Sequence, residues 1–339
     1  MDQRYSRQIL FKPIGITGQK CLSEASVAVI GCGALGTASA EMLVRAGVGT
    51  IRIADRDVVE RSNLQRQQLF TEADAEAMVP KVVAAERRLH AIRTDAALYT
   101  YFEHVDGVLM EELAAQVDVI IDATDNFETR LLINDAAHKY GIPWIYGACV
   151  GSTGTMFPFV PGEAACFHCL MPTLPRMNET CDTAGIIAPA VQVTASHQCT
   201  EVLKWLTGNR EAMRKKVLHF DLWNPAQLET GISRLRDPHC ETCGIHPTFP
   251  SLSIQDTRRV AVLCGRDAVQ ITADPDRSLS LDDVEQLAEK IGNPCKRTPY
   301  SVEMFAEGHR MILFRTGRLL IYGISDATEG MNLFHKLFG

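Results

Sequence analysis

Residues 29–57 read VIGCGALGTASAEMLVRAGVGTIRIADRD. An apolar strand from Val27 to Ile30 runs into Gly31-x-Gly33-x-x-Gly36, a helical stretch follows to about Ala46, and a second strand ends at Asp55. That order is a mononucleotide-binding strand-helix-strand unit. The glycines permit a tight turn and close approach of the backbone to phosphates at a helix N-terminus, and Asp55 can accept hydrogen bonds from a ribose. Taken alone, the unit suits a nicotinamide-dependent dehydrogenase, so its surroundings decide the reading.

Outward from this unit, strand-like apolar runs at 27–31, 50–54, 98–102, 117–122 and 143–147 alternate with helix-like stretches at 35–46, about 80–93, 108–116 and 127–140. Such alternation predicts an α/β fold built on a Rossmann-like, doubly wound parallel sheet. From GSTGTMFPFVPG (151–162) onward the pattern turns β-rich, interrupted by a helix at about 188–206 and followed by a strand pair in KVLHFDLW and AQLETGISRL. The segment after Cys243 carries two prolines and no clear periodicity, and 245–256 is expected to be a linker between residues 1–244 and a small α+β module at 257–339. That module reads as strand, strand, helix (281–291), two strands joined at EGH or TGR, and a final helix (327–337).

The 339 residues are 46% hydrophobic and 22% charged, as in ordinary soluble globular proteins. A net charge of −7 disfavours nucleic acid as the main partner. The start, MDQRYSRQIL, lacks the apolar core of a signal peptide and no apolar run reaches membrane-spanning length, so a cytoplasmic protein is expected. Eleven cysteines in a chain of this kind point to metal ligation or thiol chemistry rather than a disulfide scaffold.

Two C-x-x-C pairs, Cys166/Cys169 and Cys240/Cys243, supply four soft thiolates for tetrahedral zinc. The 70 residues between the pairs mean that the metal pins distant segments of one domain, and a complete ligand set makes it structural. The alternative is four buried or redox-active thiols without metal; His168 and His239 are read as bystanders. A second constellation, DRDVVERSNLQRQQLF (55–70), is denser in polar groups than a dehydrogenase needs, with Asp57, Ser62, Asn63, Gln65, Arg66 and Gln67 in one stretch. A nucleoside triphosphate needs such cations and amides, and Lys81 at the start of a helix adds another charge. A third, IIDATDNFETR (120–130), ends the fourth strand, where Asp125 can bind magnesium while Asp122 or Asn126 positions it or caps the next helix.

RYSRQIL (4–10), GCGALG (31–36), SNLQRQ (62–67), PKV (80–82), ATDN (123–126), the two C-x-x-C pairs and TCDTAGI (180–186) occur in this order. On these motifs the chain, over about residues 4–244, resembles the ThiF/MoeB/HesA family of adenylyltransferases, relatives of ubiquitin-activating enzymes. The resemblance implies that Gly31, Gly33, Gly36 and Asp55 hold the adenosine side of ATP and that Asn63, Arg66 and Lys81 contact its phosphates. Asp125 resembles the magnesium-binding aspartate, and Arg7 the arginine that crosses a homodimer interface into the partner's site. It further implies that a ubiquitin-like sulfur carrier ending in Gly-Gly is adenylylated, with pyrophosphate released and a sulfurtransferase or cysteine desulfurase as sulfur source. Cys181 matches a cysteine that in relatives attacks the activated carrier or receives sulfur. A Walker sequence is absent, which disfavours P-loop hydrolysis.

A ThiS-like carrier of thiamine thiazole synthesis is the expected partner, with a MoaD-like carrier of molybdenum cofactor synthesis as the alternative. A nicotinamide oxidoreductase and a zinc-stabilised nucleotide-binding scaffold are the readings from other classes. In the C-terminal module, Cys264 of LCGRDAVQI invites comparison with a rhodanese cysteine, but about 80 residues are few for that domain and Cys264 lies near their start. The module is expected to dock the carrier or brace the dimer.

Overall fold

The computed structural model describes residues 3–173, 184–253, 260–263, 268–272 and 279–338. They divide into two compact units: residues 1–75 with 80–255, and 76–79 with 256–339.

The first unit is built on an eight-stranded sheet in the order β3-β2-β1-β4-β5-β6-β7-β8. Its strands are β1 (Ser26–Ile30), β2 (Thr50–Ala54), β3 (Ala97–Tyr101), β4 (Val119–Asp122), β5 (Trp144–Val150), β6 (Thr153–Phe159), β7 (Val217–Asp221) and β8 (Ala226–Thr230). The first five run parallel; β6, β7 and β8 add on as antiparallel neighbours. β4 is buried along its whole length and β1 at four of five positions, which is why both read as continuous apolar runs. Ile30 of β1 lies in register with both Ala54 of β2 and Asp122 of β4. The residues that follow these three strands therefore emerge together at one edge, where the strand order reverses and parallel sheets bind ligands.

The helix Ala188–Leu206 packs across β5 and β6. Its buried Gln198 donates to the carbonyl oxygens of Asp122 (2.7 Å) and Ile145 (2.9 Å), tying it to the end of β4. Among the described residues no helix is long and apolar enough to cross a membrane.

The second unit carries a six-stranded antiparallel sheet, β11-β12-β13-β14-β10-β9. Here β9 is Val260–Leu263, β10 Ala268–Thr272, β11 Cys295–Arg297, β12 Ser301–Ala306, β13 His309–Phe314 and β14 Arg318–Tyr322. Helices Leu281–Lys290 and Ala327–Phe338 contribute apolar residues to a core that includes Val269, Val284, Met304, Leu313 and Ile321. The sequence suggested two strands joined at one of two turns after the first helix, whereas both turns are used. Glu307 and Gly308 take φ +52° and +83°, the two left-handed residues of a tight hairpin, and Gly317 at φ +79° closes the next. Short β11 adds a further strand at the edge.

His138, on the helix Phe127–Tyr140, gives a pH prediction. Burial lowers its pKa to about 4, against an opposing pull from Asp135. The unfolded chain takes up this proton near pH 6.5 and the folded one only near pH 4. The stabilising contribution is complete above pH 6.5 and is lost as pH falls through that window, in total about 3 kcal/mol. Denaturant titrations from pH 7 to pH 4 should show this fall, and His138→Gln should flatten it; an unchanged slope in the variant assigns the fall to other groups.

Candidate functional site

At the shared strand edge the chain first has to turn sharply. Gly31 sits at φ +95°, and a Cβ there would lie 2.6 Å from the carbonyl oxygen of Ala123. At Gly36 a Cβ would lie 2.0 Å from the Gly31 carbonyl oxygen, so both positions exclude side chains for reasons internal to the fold. Gly33 differs: the nearest atom to a Cβ there is Gln67 Nε2 at 3.9 Å. Protein packing tolerates a side chain at Gly33, while a ligand approaching the backbone would not. Gly33 is also the N-cap of the helix Ala34–Ala46, and no side chain caps that end. Uncapped N–H groups and the positive end of the helix dipole favour an anion.

Asp55 fixes the turn from the neighbouring strand. One carboxylate oxygen accepts from Cys32 N (2.6 Å), the other from Asp57 N (2.7 Å). Each oxygen retains a lone pair for a hydroxyl. Cys32 is fully buried, and burial raises its thiol pKa, so it is a packed neutral thiol rather than a nucleophile. Asp57 then holds Lys81 twice: its carbonyl accepts from Lys81 N (2.9 Å), and its carboxylate meets Lys81 Nζ at 3.2 Å. Lys81 is only 4% exposed, at the first turn of the helix Lys81–Ile92, with Pro80 bridged to Val58. A buried ammonium held in this way can supply positive charge to an anion.

In the polar stretch, Asn63 is buried and accepts from Glu60 N (3.0 Å), completing a capping box around the turn Arg61–Asn63. Arg66 is half-buried, and its Nη1 donates to Ser62 O (2.8 Å). Asp125 is exposed in the loop after β4. Asn126 is the N-cap of the next helix and accepts from Thr129 N (2.8 Å), so of its two sequence readings it takes capping.

Asp122, read from sequence as a positioning or capping residue, organises this edge together with two residues the sequence reading missed, Arg130 and Gln198. Asp122, fully buried, accepts from Thr124 N and Oγ1 and from Arg130 Nε at 3.0 Å. Arg130 also donates to Thr124 O (2.7 Å), so a buried ion pair sets the 123–126 loop in place. Burial pushes the Asp122 carboxyl up, opposed by Arg130. Gln198 supplies the third fixing point through the Asp122 carbonyl. An arginine eight residues after a strand-terminal aspartate was the available signal.

The four cysteines converge. Cys166, Cys169, Cys240 and Cys243 place all their sulfurs within 4.8 Å of one another, with separations of 3.8 Å (Cys166–Cys169), 3.6 Å (Cys166–Cys240) and 3.5 Å (Cys169–Cys243). Tetrahedral zinc with Zn–S near about 2.3 Å sets sulfurs about 3.8 Å apart, so the residues fit that ion. Burial pushes the Cys166 and Cys169 thiols up, Cys169 to about 11, and the adjoining sulfurs add to the effect. Thiolates packed this closely require a cation. Both loops hang from one helix: Asn134 accepts from Phe167 N (2.9 Å), and Asp135 accepts from Thr242 Oγ1 and from Ser251 N (2.9 Å). Ser251 lies in the helical turn Pro250–Ser253, within the stretch read from sequence as a linker. His168 lies beside Thr242, outside the sulfur cluster.

Arg7 is exposed on the short helix Ser6–Leu10. Cys181 and Cys264 lie outside the described residues.

The ThiF family matches residues 5–242, well over half the chain. The sulfur carrier protein ThiS adenylyltransferase of Bacillus subtilis is 48% identical over 339 residues, covering the whole of both chains. The molybdopterin-synthase adenylyltransferase of Escherichia coli is 33% identical over 71% of this chain and 88% of its own. Among solved structures, the ATP complex of Escherichia coli MccB superimposes with a TM-score of 0.62 at 22% identity, over 72% of this chain and 75% of that one, a likeness of fold. The chain belongs to the ThiF family and is an enzyme of its adenylyltransferase class.

Proposed function

We propose that the chain adenylylates the C-terminal glycine carboxylate of a ThiS-like sulfur carrier. The observation that carries this reading is the 48% identity spanning both full lengths, C-terminal module included. The match to the Escherichia coli ThiS adenylyltransferase covers 60% of the chain and that to the molybdopterin-synthase adenylyltransferase 71%, so neither supports an assignment for the whole chain to the same degree.

In the reaction, a carboxylate oxygen of the carrier attacks the α-phosphorus of ATP and pyrophosphate leaves with the electrons of the broken P–O bond. The carboxylate is already ionised, so no general base is needed. The obstacle is repulsion between two anions. Lys81, Arg66, and Arg7 from a second copy reduce it, and the Gly31–Gly36 turn holds phosphate oxygens by backbone N–H groups. Asp55 orients the ribose and Asn63 the phosphates. Asp125 would hold magnesium, which supplies further neutralisation of phosphate charge. Leu10, Phe11 and Ile16, exposed at 70%, 61% and 61% beside Arg7, support a homodimer that covers this face. Cys181 is the candidate thiol for the subsequent sulfur step, with a sulfurtransferase or cysteine desulfurase as donor. The reduced thiols of the zinc cluster suit a cytoplasmic setting.

The test is ATP–pyrophosphate exchange with purified ThiS-like and MoaD-like carriers ending in Gly-Gly. Exchange that depends on the ThiS-like carrier, with kcat/KM at least about tenfold above that for the MoaD-like one, is the expected outcome; tenfold is about 1.4 kcal/mol of discrimination. The reverse preference would transfer the assignment to the MoaD-like carrier, and exchange with neither would remove the proposed reaction.

A further inference from the structure

The polypeptide leaves the first unit after Ala75 and rejoins it at Pro80, and the four residues between, Glu76–Val79, fold as part of the second unit. Two of them are fixed there by side chains of the C-terminal module. Lys296 Nζ donates to the Glu76 carbonyl oxygen (2.7 Å), and Arg310 Nη2 lies 4.0 Å from Met78 Sδ. Met78 and Val79 are buried, at 7% and 6% exposure. Met78 adopts φ +46°, a left-handed conformation that a non-glycine residue holds only when its surroundings impose it. Three residues after Met78 the chain reaches Lys81, whose backbone and side chain both engage Asp57.

We infer that the C-terminal module positions Lys81 for ATP, by holding Glu76–Val79 in the conformation that delivers Pro80 and Lys81 to Asp57. This rests on the phosphate-binding role proposed for Lys81 and assigns a task to residues 256–339 within the same reaction. Met78 and Lys296 are positioning residues; neither need touch ATP. The direction of the effect follows from the covalent geometry. Only Val79 and Pro80 separate the imposed φ of Met78 from Lys81, so freedom gained at Met78 is freedom gained by the ammonium.

Three variants of the full chain test this: Met78→Ala, which removes packing while keeping a Cβ at the left-handed position; Met78→Leu, of similar volume; and Lys296→Ala. Expected for Met78→Ala is a 3- to 10-fold rise in Kd for ATP, measured by calorimetry without carrier. The KM for carrier should stay unchanged, and Met78→Leu should restore the ATP value, as ordinary for volume-conserving exchange. Lys296→Ala should shift ATP in the same direction to a smaller degree. Hydrogen–deuterium exchange should quicken in the peptide spanning 76–85 while peptides of β1 and β4 keep their protection. Unchanged exchange of residues 80–85 in both Met78→Ala and Lys296→Ala overturns the inference. So does an equal rise of ATP and carrier constants, which marks general loosening. Because ATP binding and amide exchange are read without turnover, failure of carrier adenylylation in the unaltered protein is a separate result.

Discussion

Replacing Lys81 by alanine should lower carrier-dependent ATP–pyrophosphate exchange by about 10²–10³-fold, the usual loss when a preorganised charge-stabilising donor is removed from a water-excluded site. The ammonium is 4% exposed and lies 3.2 Å from the half-buried Asp57 carboxylate. A charge kept this deep is costly unless it is compensated, and Asp57 compensates it in the absence of substrate. When a triphosphate arrives, Nζ can turn toward it without being desolvated afresh. Truncation also takes the Lys81 ammonium from Asp57, so part of any loss could be structural. The double variant Asp57→Ala/Lys81→Ala separates the two effects. It removes both charges, should recover thermal stability relative to Lys81→Ala, and should stay as inactive. Lys81→Arg should retain binding but lose rate, since a planar fork does not reproduce a point charge on a flexible stem. Exchange within threefold of the unaltered enzyme in Lys81→Ala, or activity regained in the double variant, would remove Lys81 from the reaction.

Much of this site was legible because its chemistry is local. The run from Val27 to Asp55 contains strand, turn, helix and strand in sequence, and their structural bounds fall within a residue or so of the expected ones. The C-x-x-C pairs were legible for a related reason, since metal ligation imposes a spacing within each pair whatever lies between. Long-range polar contacts carry no such spacing. Asp122, at the end of β4, meets Arg130 in the first turn of the helix that follows, and Gln198 reaches Asp122 from 76 residues away; neither leaves a periodic trace. Asn134 and Asp135 are buried polar residues on the helix Phe127–Tyr140, yet what they hold, Phe167, Thr242 and Ser251, lies far off in the chain. The hairpins of the second unit show the converse. EGH and TGR are equally good turns, and sequence offered no reason for both to be used until the sheet supplied a partner for each strand.

Cys240→Ser should abolish stoichiometric zinc and lower the thermal midpoint by about 10 °C, as expected when a structural ion worth several kcal/mol to the fold is lost from a domain of this size. Serine replaces a soft thiolate with a neutral oxygen that zinc binds poorly at neutral pH. At position 240 it also removes the sulfur that accepts from Thr242 N and faces Cys166 at 3.6 Å. The three remaining thiols would stay close together without the cation that offsets their ionisation. The consequence should extend past the metal. Asn134 and Asp135 hold both cysteine loops against the helix Phe127–Tyr140, whose first turn is capped by Asn126 beside Asp125. Loss of zinc therefore releases the packing on one side of the helix that begins at the nucleotide edge, and the KM for ATP should rise with the fall in stability. Chelation of the unaltered protein should reproduce both changes, and readdition of zinc should reverse them only where all four cysteines remain. Metal analysis finding one zinc per chain in Cys240→Ser would instead place the ion elsewhere, and an unchanged thermal midpoint would separate the cluster from stability.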